Sequence, residues 1–584
     1  MNQNQVNQRG VITVVRAVDA LADEIVKMNI KEVFGIPGGQ IMPLFDAFYG
    51  KDAKIFLFRH EQGAIHAADA YGRVTKRPGV VMVTSGPGAT NLATGLANAM
   101  MDSSPLVALT GQVPTSVFGR DAFQETDIVG LSMPIVKHTF MVKKPEDLIP
   151  AFKAAYRIAT DGRPGPVLVD IPRDVQLSEV KGNGSGGINV NYKGVPEPDI
   201  GLVAYAVKLL MEAKRPVMLV GGGVCWSNST EEALAIAEAL WMPIVTTLPG
   251  KNCIPNNHPL FMGPAGMHGR VEADAALINS DLVLAVGTRF SDRTVGDFKE
   301  FQRGRRIIHI DIDKSEIGKN VKPSVGIIGD AKATLRMMLE LIPKAAVKNE
   351  AFVNWLKSIK EAYEKFREQD DMPGFAPWKV LKVVREVTPP YAITATSVGS
   401  HQMWSELHWD VYVPGTFITS AGLGTMGFGL PAALGAKVAK PNVPVIDIDG
   451  DGSFQMTMQN LALVREYNLP IIVVIFDNST LMLVRHWQML LYSRRIIGVD
   501  FQANPDFIKI AEAYGIDGVR PSNYDELRSS VSRAIRNNEP LVVDVTIDRE
   551  RDLVLPWVQP GKWLAEVTLP DGFKVNLRYG DGNE

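Results

Sequence analysis

Residues 444–480 read PVIDIDGDGSFQMTMQNLALVREYNLPIIVVIFDNST. The short apolar run at 445–448 predicts a strand buried on both faces, and 449–453 a loop. An amphipathic helix is expected at 455–467, a second buried strand at 471–476 and a second loop at 477–480. A strand that returns through a helix to another buried strand is a right-handed βαβ unit, so the two strands are parallel. Their carboxyl ends, with the loops around Asp451 and Asn478, then emerge at one edge of the sheet. Open α/β sheets bind ligands at that edge.

Those loops are rich in oxygen. Gly450 and Gly452 allow close approach of the backbone to a ligand. Asp451 offers a carboxylate, Asn478 an amide oxygen, and the turn to Thr480 a free carbonyl. Mg²⁺ takes an octahedron of oxygens, which these three groups, two diphosphate oxygens and a water would fill. Alone, Gly450-Asp451-Gly452 is also an ordinary turn and Asn478 an ordinary strand-end residue. The helix and second strand between them, at the right remove, favour the metal reading.

At 584 residues the chain is too long for one core and should form about three or four domains. Its 46% hydrophobic and 21% charged residues are those of a globular protein. A net charge of −3 argues against nucleic acid or an anionic membrane as the main partner. Cys225 and Cys253 cannot make a disulfide framework, which suits a reducing cytosol. The opening MNQNQVNQRG has no apolar signal core, and no apolar run approaches the ~18 residues of a membrane span. A cytoplasmic, prokaryotic protein is expected.

Residues 1–180 alternate strands and helices. Strands are expected at 32–36, entering the Pro37-Gly38-Gly39 turn, and at 54–58, ending in Arg59-His60-Glu61 before a helix from near Gly63. Others fall at 80–84, opening into SGPGATN (85–91), and at 106–110 and 167–171. Five such units predict a doubly wound parallel sheet. A carboxylate ahead of a helix, such as Glu61, can serve only the helix dipole. The stretch GRDAFQETD (119–127) reads by itself as a polar loop. Residues 181–200 are Gly- and then Pro-containing, without apolar period: a linker. A second domain, 201–343, has strands at 217–220, running into Gly221-Gly222-Gly223, and at 244–247, 282–286 and 307–312. A Gly triplet after a strand is a weak phosphate-loop signal. Residues 344–375 hold a connecting helix, at 349–371, packed by one face (Phe352, Trp355, Leu356, Ile359, Tyr363). The third domain is 376–548. The tail, 549–584, is expected to fold over the active site.

The GDG, its gap and the closing Asn resemble the thiamine diphosphate and magnesium motif of thiamine-dependent decarboxylases and carboligases. Within that group, residues 12–565 most resemble the acetolactate synthase catalytic subunits. The family usually closes its motif with two Asn; here the first is Asp477, and the ligating second is Asn478. The resemblance implies an α/β fold of three Rossmann-like doubly wound domains, in the order pyrimidine-binding, FAD-binding and diphosphate-binding. It implies thiamine diphosphate, Mg²⁺ and FAD as cofactors, with Asp451, Asn478 and Thr480 as metal ligands.

It also assigns roles. Glu61, in RHE, would hydrogen-bond the pyrimidine ring of thiamine. A carboxylic acid donating there favours the imino tautomer of the exocyclic amine, which takes the proton from the thiazolium C2 carbon. Burial beside an apolar ring would raise the Glu61 pKa as this requires. Glyoxylate carboligases lack this Glu. Phe123 and Gln124, in AFQE, would line the substrate side. Arg173, in IPRD, stands where the family often has Lys, keeping the charge but not the shape. Further thiamine diphosphate contacts are implied for Gly38, Gly39, Pro87, Asn91, Val398, Gly399, Ser400, His401, Gly424, Met426, Gly450, Gly452, Ser453, Leu481 and Met482. Ser400 replaces a typical Gln and would reach the diphosphate through its hydroxyl or a water. Met426 would force the bent cofactor shape, although a Met is as readily core filler. The Gly424 carbonyl would accept from the cofactor amine.

FAD contacts are implied for Arg163, Gly221, Gly222, Gly223, Thr247, Leu248, Met267, His268, Gly287, Arg289, Asp292, Arg293, Asp311, Ile312, Asp330 and Ala331. Acetolactate formation has no net redox step, so a flavin would be structural or inherited. Arg293 matches the residue that holds the acceptor carboxylate, and Trp487 the one that favours 2-ketobutyrate over pyruvate. Trp487 is equally an aromatic on a helix face. The stretch LMLVRHWQ departs from the family's GMVRQWQ at Met482, Leu483 and His486.

The implied reaction decarboxylates pyruvate and joins the two-carbon unit to a second 2-keto acid, the first common step of branched-chain amino-acid biosynthesis. Glu61 and Asp451 come from different subunits in relatives, so a homodimer or tetramer is expected. Too few residues follow 565 for an allosteric domain, so a small regulatory subunit is expected as well. The rivals are another thiamine carboligase or oxidase (pyruvate oxidase, sulfoacetaldehyde acetyltransferase, an aldehyde carboligase) or a non-catalytic nucleotide-binding scaffold. Arg293, Trp487 and HQMW (401–404) favour acetolactate synthase; Glu61, Asp451 and Asn478 together speak against the scaffold.

Overall fold

Apolar runs bounded by Gly and Pro become three six-stranded sheets in which every strand is parallel to its neighbours. The computed structural model describes residues 14–181, 188, 190, 194–343, 349–369 and 373–580. The opening segment, much of the expected linker and the last residues of the expected connecting helix lie outside the described residues.

The first sheet runs Lys54–Leu57, Glu32–Ile36, Gly79–Val83, Leu106–Gln112, Pro166–Pro172, His138–Met141. The third runs Phe417–Thr419, Ile393–Thr396, Val445–Gly450, Ile472–Asp477, Leu541–Thr546, Asp517–Val519. Numbered within each sheet, both have the order 2-1-3-4-6-5. The middle sheet runs Phe261–Pro264, Ile244–Thr246, Pro216–Val220, Leu282–Val286, Arg306–Asp311, Val325–Ile328, the order 3-2-1-4-5-6 of a dinucleotide fold.

The chain divides into two compact units: Met1–Tyr192 with Leu434–Ala439, holding the first sheet, and Lys193–Ala433 with Lys440–Glu584, holding the other two. Inside the second unit the two sheets are tied by side chains. Lys251 Nζ donates to the carbonyls of Ser405 and Glu406 at 2.7 Å each, and Asn252 Oδ1 accepts from the Phe417 amide at 2.8 Å. The tail packs on the middle sheet's side of this unit, with the Val558 amide on the Met267 carbonyl (2.8 Å) and Asn279 Nδ2 on the Leu577 carbonyl (2.7 Å).

Several expectations shift. The first sheet has six strands, not five, because His138–Met141 is a half-exposed edge strand without a continuous apolar run. The strand at 445 continues through Asp449 to Gly450, whose register partner is Phe476, and a short helix, Asp451–Phe454, replaces the loop. The expected helix at 455–467 breaks into a 3₁₀ turn, Met458–Asn460, and a helix, Leu461–Glu466. Thr457 Oγ1 donates to the Gly427 carbonyl at 3.0 Å and Asn460 Nδ2 to the Thr457 carbonyl at 2.9 Å, so side chains compete with the helical ladder. The connecting helix is Glu350–Glu368, capped by the Asn349 side chain. Cys225 and Cys253 are joined in one disulfide within the middle fold. No described helix is long and apolar enough to cross a membrane.

Candidate functional site

In each sheet some of the loops expected to bind lie at carboxyl ends where the strand order reverses, the position at which such sheets form a ligand crevice, while Glu61, Thr247 and Asn478 follow the neighbouring strands. In the first sheet the loops at the reversal follow Glu32–Ile36 and Gly79–Val83; in the middle sheet, Pro216–Val220 and Leu282–Val286; in the third, Ile393–Thr396 and Val445–Gly450.

In the first unit Glu61 opens the helix Glu61–Thr75, and its Oε2 accepts from Asn91 Nδ2 at 2.9 Å. Asn91 follows the short helix Pro87–Thr90. A Cβ on Gly88 would meet Thr84 at 2.9 Å and stand 3.6 Å from Glu61 Oε1, and one on Gly38 would meet Thr84 at 2.6 Å. A Cβ on Gly39 would meet nothing. Gln124 has φ 64° and packs at 3.0 Å against the Cβ position of Gly86. Beside it Phe123 is 84% exposed, and Arg173, at the start of the helix Arg173–Leu177, is exposed too. Within this unit neither joins the Glu61–Asn91 pair. Arg163 lies elsewhere in it, its Nε donating to Ser103 at 2.8 Å.

In the third sheet Asp451 is 2% exposed. Burial, helped by the nearby Asp477, pushes its carboxyl up to about 7, against a hydrogen bond from Asn504 that lowers it. Asn478 Oδ1 accepts from the Thr480 amide at 3.2 Å, and its Nδ2 donates to Met482 Sδ at 3.0 Å. The Met that departs from the family's Gly thus holds the amide of the expected metal ligand. A Cβ on Gly450 would meet the His401 ring at 2.6 Å, and one on Gly452 would meet Leu481 at 2.7 Å. Val398 and Gly399 lead into the helix Ser400–His408, where the buried Ser400 Oγ and His401 Nε2 have no hydrogen-bond partner among the described residues. Ser453 pairs with Ser397, and both accept from the Gly427 amide (2.9 and 3.0 Å), fixing the Gly-rich turn that carries Gly424 (φ 73°) and the part-exposed Met426.

In the middle sheet Gly221 and Gly223 face Gly287. A Cβ on Gly221 would sit 2.0 Å from the Gly287 carbonyl oxygen and one on Gly223 2.7 Å from the Gly287 Cα, so this crevice tolerates only glycine. Gly222 lies under Pro249, 3.2 Å from the Cβ it would carry. Thr247 caps the helix that starts at Leu248, and Asp330 the one that starts at Ala331. Asp311 Oδ1 accepts from the Asp313 amide at 2.9 Å, across Ile312. Arg289 presents its carbonyl to Asn320 at 2.9 Å.

The two expected acceptor residues come together. The Arg293 guanidinium lies 5.9 Å from the centre of the Trp487 ring, its Nη1 on Met267 Sδ at 3.0 Å, with Asp292 at 3.9 Å from Nε. Trp487 and His486 ride the helix Met482–Leu491, and Trp557 of the tail stands 6.1 Å from the His486 ring. Both nitrogens of His268 and of His486, and Nε1 of Trp487 and Trp557, are buried without partners among the described residues. Burial lowers His268 to about 3 and His486 to about 4, so both rings are neutral at pH 7.

Asn504 is the residue at the candidate site that the sequence reading misses. Its Nδ2 donates to Asp451 Oδ2 at 2.7 Å and to Asp477 Oδ1 at 2.8 Å, so one amide bridges two carboxylates. A lone Asn in a loop, remote from both in sequence, carries no signal of this. Among the described residues no group of three or more His, Cys, Asp or Glu is placed to hold a metal; the expected set is instead one carboxylate, one amide and one carbonyl, and that carbonyl, of Thr480, is not free as expected but accepts from the Met482 amide at 2.9 Å.

Family models of the thiamine pyrophosphate enzymes match the chain three times: the N-terminal TPP binding domain at 15–131, the central domain at 203–338 and the C-terminal TPP binding domain at 397–545. The chain is 44% identical over 567 residues to the probable acetolactate synthase large subunit of Methanocaldococcus jannaschii, covering 95% of each. It is 41% identical over 575 residues to the acetolactate synthase large subunit of Corynebacterium glutamicum, covering 97% of this chain and 91% of the relative. To the acetolactate synthase isozyme 3 large subunit of Escherichia coli it is 40% identical over 537 residues, covering 90% and 93%.

Proposed function

The chain belongs to the acetolactate synthase large-subunit family of thiamine pyrophosphate enzymes, and from that premise we propose that it decarboxylates pyruvate and joins the two-carbon unit to a second 2-keto acid. The observation that carries this reading furthest is the Arg293–Trp487 pair, a cation on an aromatic face beside buried, unpartnered His268 and His486.

The donor sets fit the cofactors. A buried carboxylate at Asp451, an amide at Asn478 and a carbonyl at Thr480 are hard oxygen ligands for Mg²⁺. The orphan Ser400 hydroxyl and the first turn of the helix Ser400–His408 suit a diphosphate. The glycine cradle at Gly221, Gly223 and Gly287 and the orphan ring nitrogens of His268 suit FAD. Bound thiamine diphosphate supplies a nucleophilic carbon and an electron sink that lets CO₂ leave. The residues of the chain do the rest. Glu61 holds a proton at the pyrimidine nitrogen, steadied by Asn91. Asp451 fixes the metal and Asn504 fixes Asp451. Arg293 takes the acceptor carboxylate through its fork of donors. Trp487 offers its face to the acceptor's alkyl group.

The proposal includes a homodimer or tetramer, and control by a separate small regulatory subunit. Product analysis tests it: pyruvate, with and without 2-ketobutyrate, is supplied to enzyme loaded with thiamine diphosphate, Mg²⁺ and FAD. Acetolactate and acetohydroxybutyrate are expected; acetyl phosphate or simple aldehyde as the main product would point to an oxidase or decarboxylase instead.

A further inference from the structure

Apart from the residues discussed above, the second unit holds a cavity of about 310 Å³ lined from the helices Glu350–Glu368, Pro377–Val387 and Ser400–His408 and from the middle fold. Two guanidinium groups line it, in different electrostatic circumstances. Arg270 is neutralised: Nε donates to Glu272 at 2.6 Å and Nη2 to Glu364 at 3.2 Å. Arg367 has no carboxylate partner among the described residues. Its guanidinium lies 5.1 Å from the centre of the Tyr363 ring and 5.4 Å from that of Trp378, and Nη1 faces the His408 ring. Its Nε is buried and unpartnered.

The surroundings do not supply the missing charge. Burial, together with Arg367, Arg270 and Lys251, holds His408 well below its ordinary pKa, so it is neutral at pH 7. Glu364 is engaged by Arg270, while Glu368 and Asp410 are exposed at the rim, where water screens them. Lys360 and Lys382 line the same space and add positive charge. A part-buried guanidinium clamped between two aromatic rings keeps its geometry; Glu364 and Glu272 attract it from a distance, but among the described residues no carboxylate is ion-paired with it, and its planar donors match a carboxylate or phosphate.

We propose that this cavity binds a small molecule through a carboxylate or phosphate group seated on Arg367, beside the Trp378 ring. Nothing in the proposed reaction uses these residues, so the site is separate from catalysis.

The test uses holoenzyme saturated with thiamine diphosphate, Mg²⁺ and FAD, so that the proposed cofactor anion sites are filled. Inorganic phosphate and succinate are titrated separately at constant ionic strength in chloride, by calorimetry and by tryptophan fluorescence. Saturable binding of at least one probe, with one site per chain, is expected, and the tighter probe names the group recognised. Loss of a charge-assisted contact in Arg367→Met should weaken it ~10–100-fold. No saturable binding of either probe, or equal affinity in Arg367→Met, overturns the proposal. Should Arg367→Met not fold, the exposed Lys382→Glu carries the test: weaker binding supports the site, and unchanged binding overturns it.

Discussion

Glu61 and Asn91 form a pair in which an amide donates to one carboxyl oxygen and leaves the other without a hydrogen bond among the described residues, and that division of labour is what the proposed proton transfer needs. Glu61→Gln keeps the size and loses the acid. It should retain cofactor binding but slow exchange of the cofactor's C2 proton, followed by NMR, by ~10²–10⁴-fold; exchange at the wild-type rate would remove Glu61 from the mechanism. Asn504 acts through another residue. By bridging Asp451 and Asp477 it holds two acidic groups close, so Asn504→Ala should let them part. The expected result is a Mg²⁺ requirement raised ~10-fold, the effect of a charge-assisted hydrogen bond, with kcat at saturating Mg²⁺ largely kept. Cofactor binding, followed by intrinsic fluorescence as Mg²⁺ is varied, separates this from general damage, which would lower kcat without moving the metal dependence.

At the scale of elements, the helix Met482–Leu491 carries the choice of acceptor. It is held from outside: Arg485 is buried, with Nε on Asp500 at 3.1 Å and Nη2 on Glu550 of the tail. Trp487 is thereby set against Arg293. The acceptors 2-ketobutyrate and pyruvate differ by one methylene, worth about 1–3 kcal/mol in a fitted pocket, or ~10–200-fold. Trp487→Leu should erase most of that preference, read as the ratio of acetohydroxybutyrate to acetolactate in competition, while acetolactate formation continues. Arg293→Gln should weaken both acceptors. A wild-type product ratio no greater than the supplied ratio of acceptors would deny Trp487 the role.

Buried strands are where sequence reading succeeds. The runs at 282–286 and 32–36 coincide with the strands found, because a strand covered on both faces must be apolar throughout. His138–Met141 escapes it because an edge strand need not be. The helix at 455–467 is misread because its period is right while Thr457 and Asn460 spend their side chains on the backbone. At the candidate site, the shared sheet edge of the loops at Asp451 and Asn478 is legible because motif spacing implies topology, whereas Glu61 is marked only by the family resemblance. Asn504 is not legible, since its contacts depend on loops brought together only by the fold, and the Met482–Asn478 contact is not, since it depends on the geometry of one turn.

The strand Pro166–Pro172, fifth of six in the first sheet, gives a prediction about pH. Asp170 is wholly buried, and burial raises it to about 7, against hydrogen bonds from Thr110 (2.7 Å) and Gln112 (3.0 Å). The unfolded chain ionises near 3.8, so between there and about 7 it binds fewer protons than the native state. Stability from this group is therefore full below the unfolded value and lost as pH rises through about 7. Asp170→Asn should remove that loss, so its urea midpoint should gain on the wild type as pH rises across this window. A constant difference between the two proteins would show that Asp170 does not titrate there.

At the scale of the whole molecule, one rule recurs three times: a parallel sheet reverses its winding and the loops at that point are left to bind. The first and third sheets share the order 2-1-3-4-6-5, whereas the second has the dinucleotide order, so along the chain two like folds come before and after a different one. Each of the like folds brings half of the proposed chemistry, an acid at Glu61 and a metal ligand at Asp451, in separate compact units. If a working centre takes Glu61 from one subunit and Asp451 from another, two inactive proteins should repair each other. Asp451→Ala loses the one formal charge among the metal ligands, and Glu61→Gln loses the acid; each alone should be nearly dead. After joint refolding, a mixed dimer would hold one centre with both native residues and one with neither. Equal mixing makes half of the dimers mixed, each half active, so roughly a quarter of wild-type activity should return if subunits pair at random in a two-fold dimer. Activity no greater than the sum of the separate variants, with exchange of subunits confirmed by mass, would mean that each chain builds its own centre.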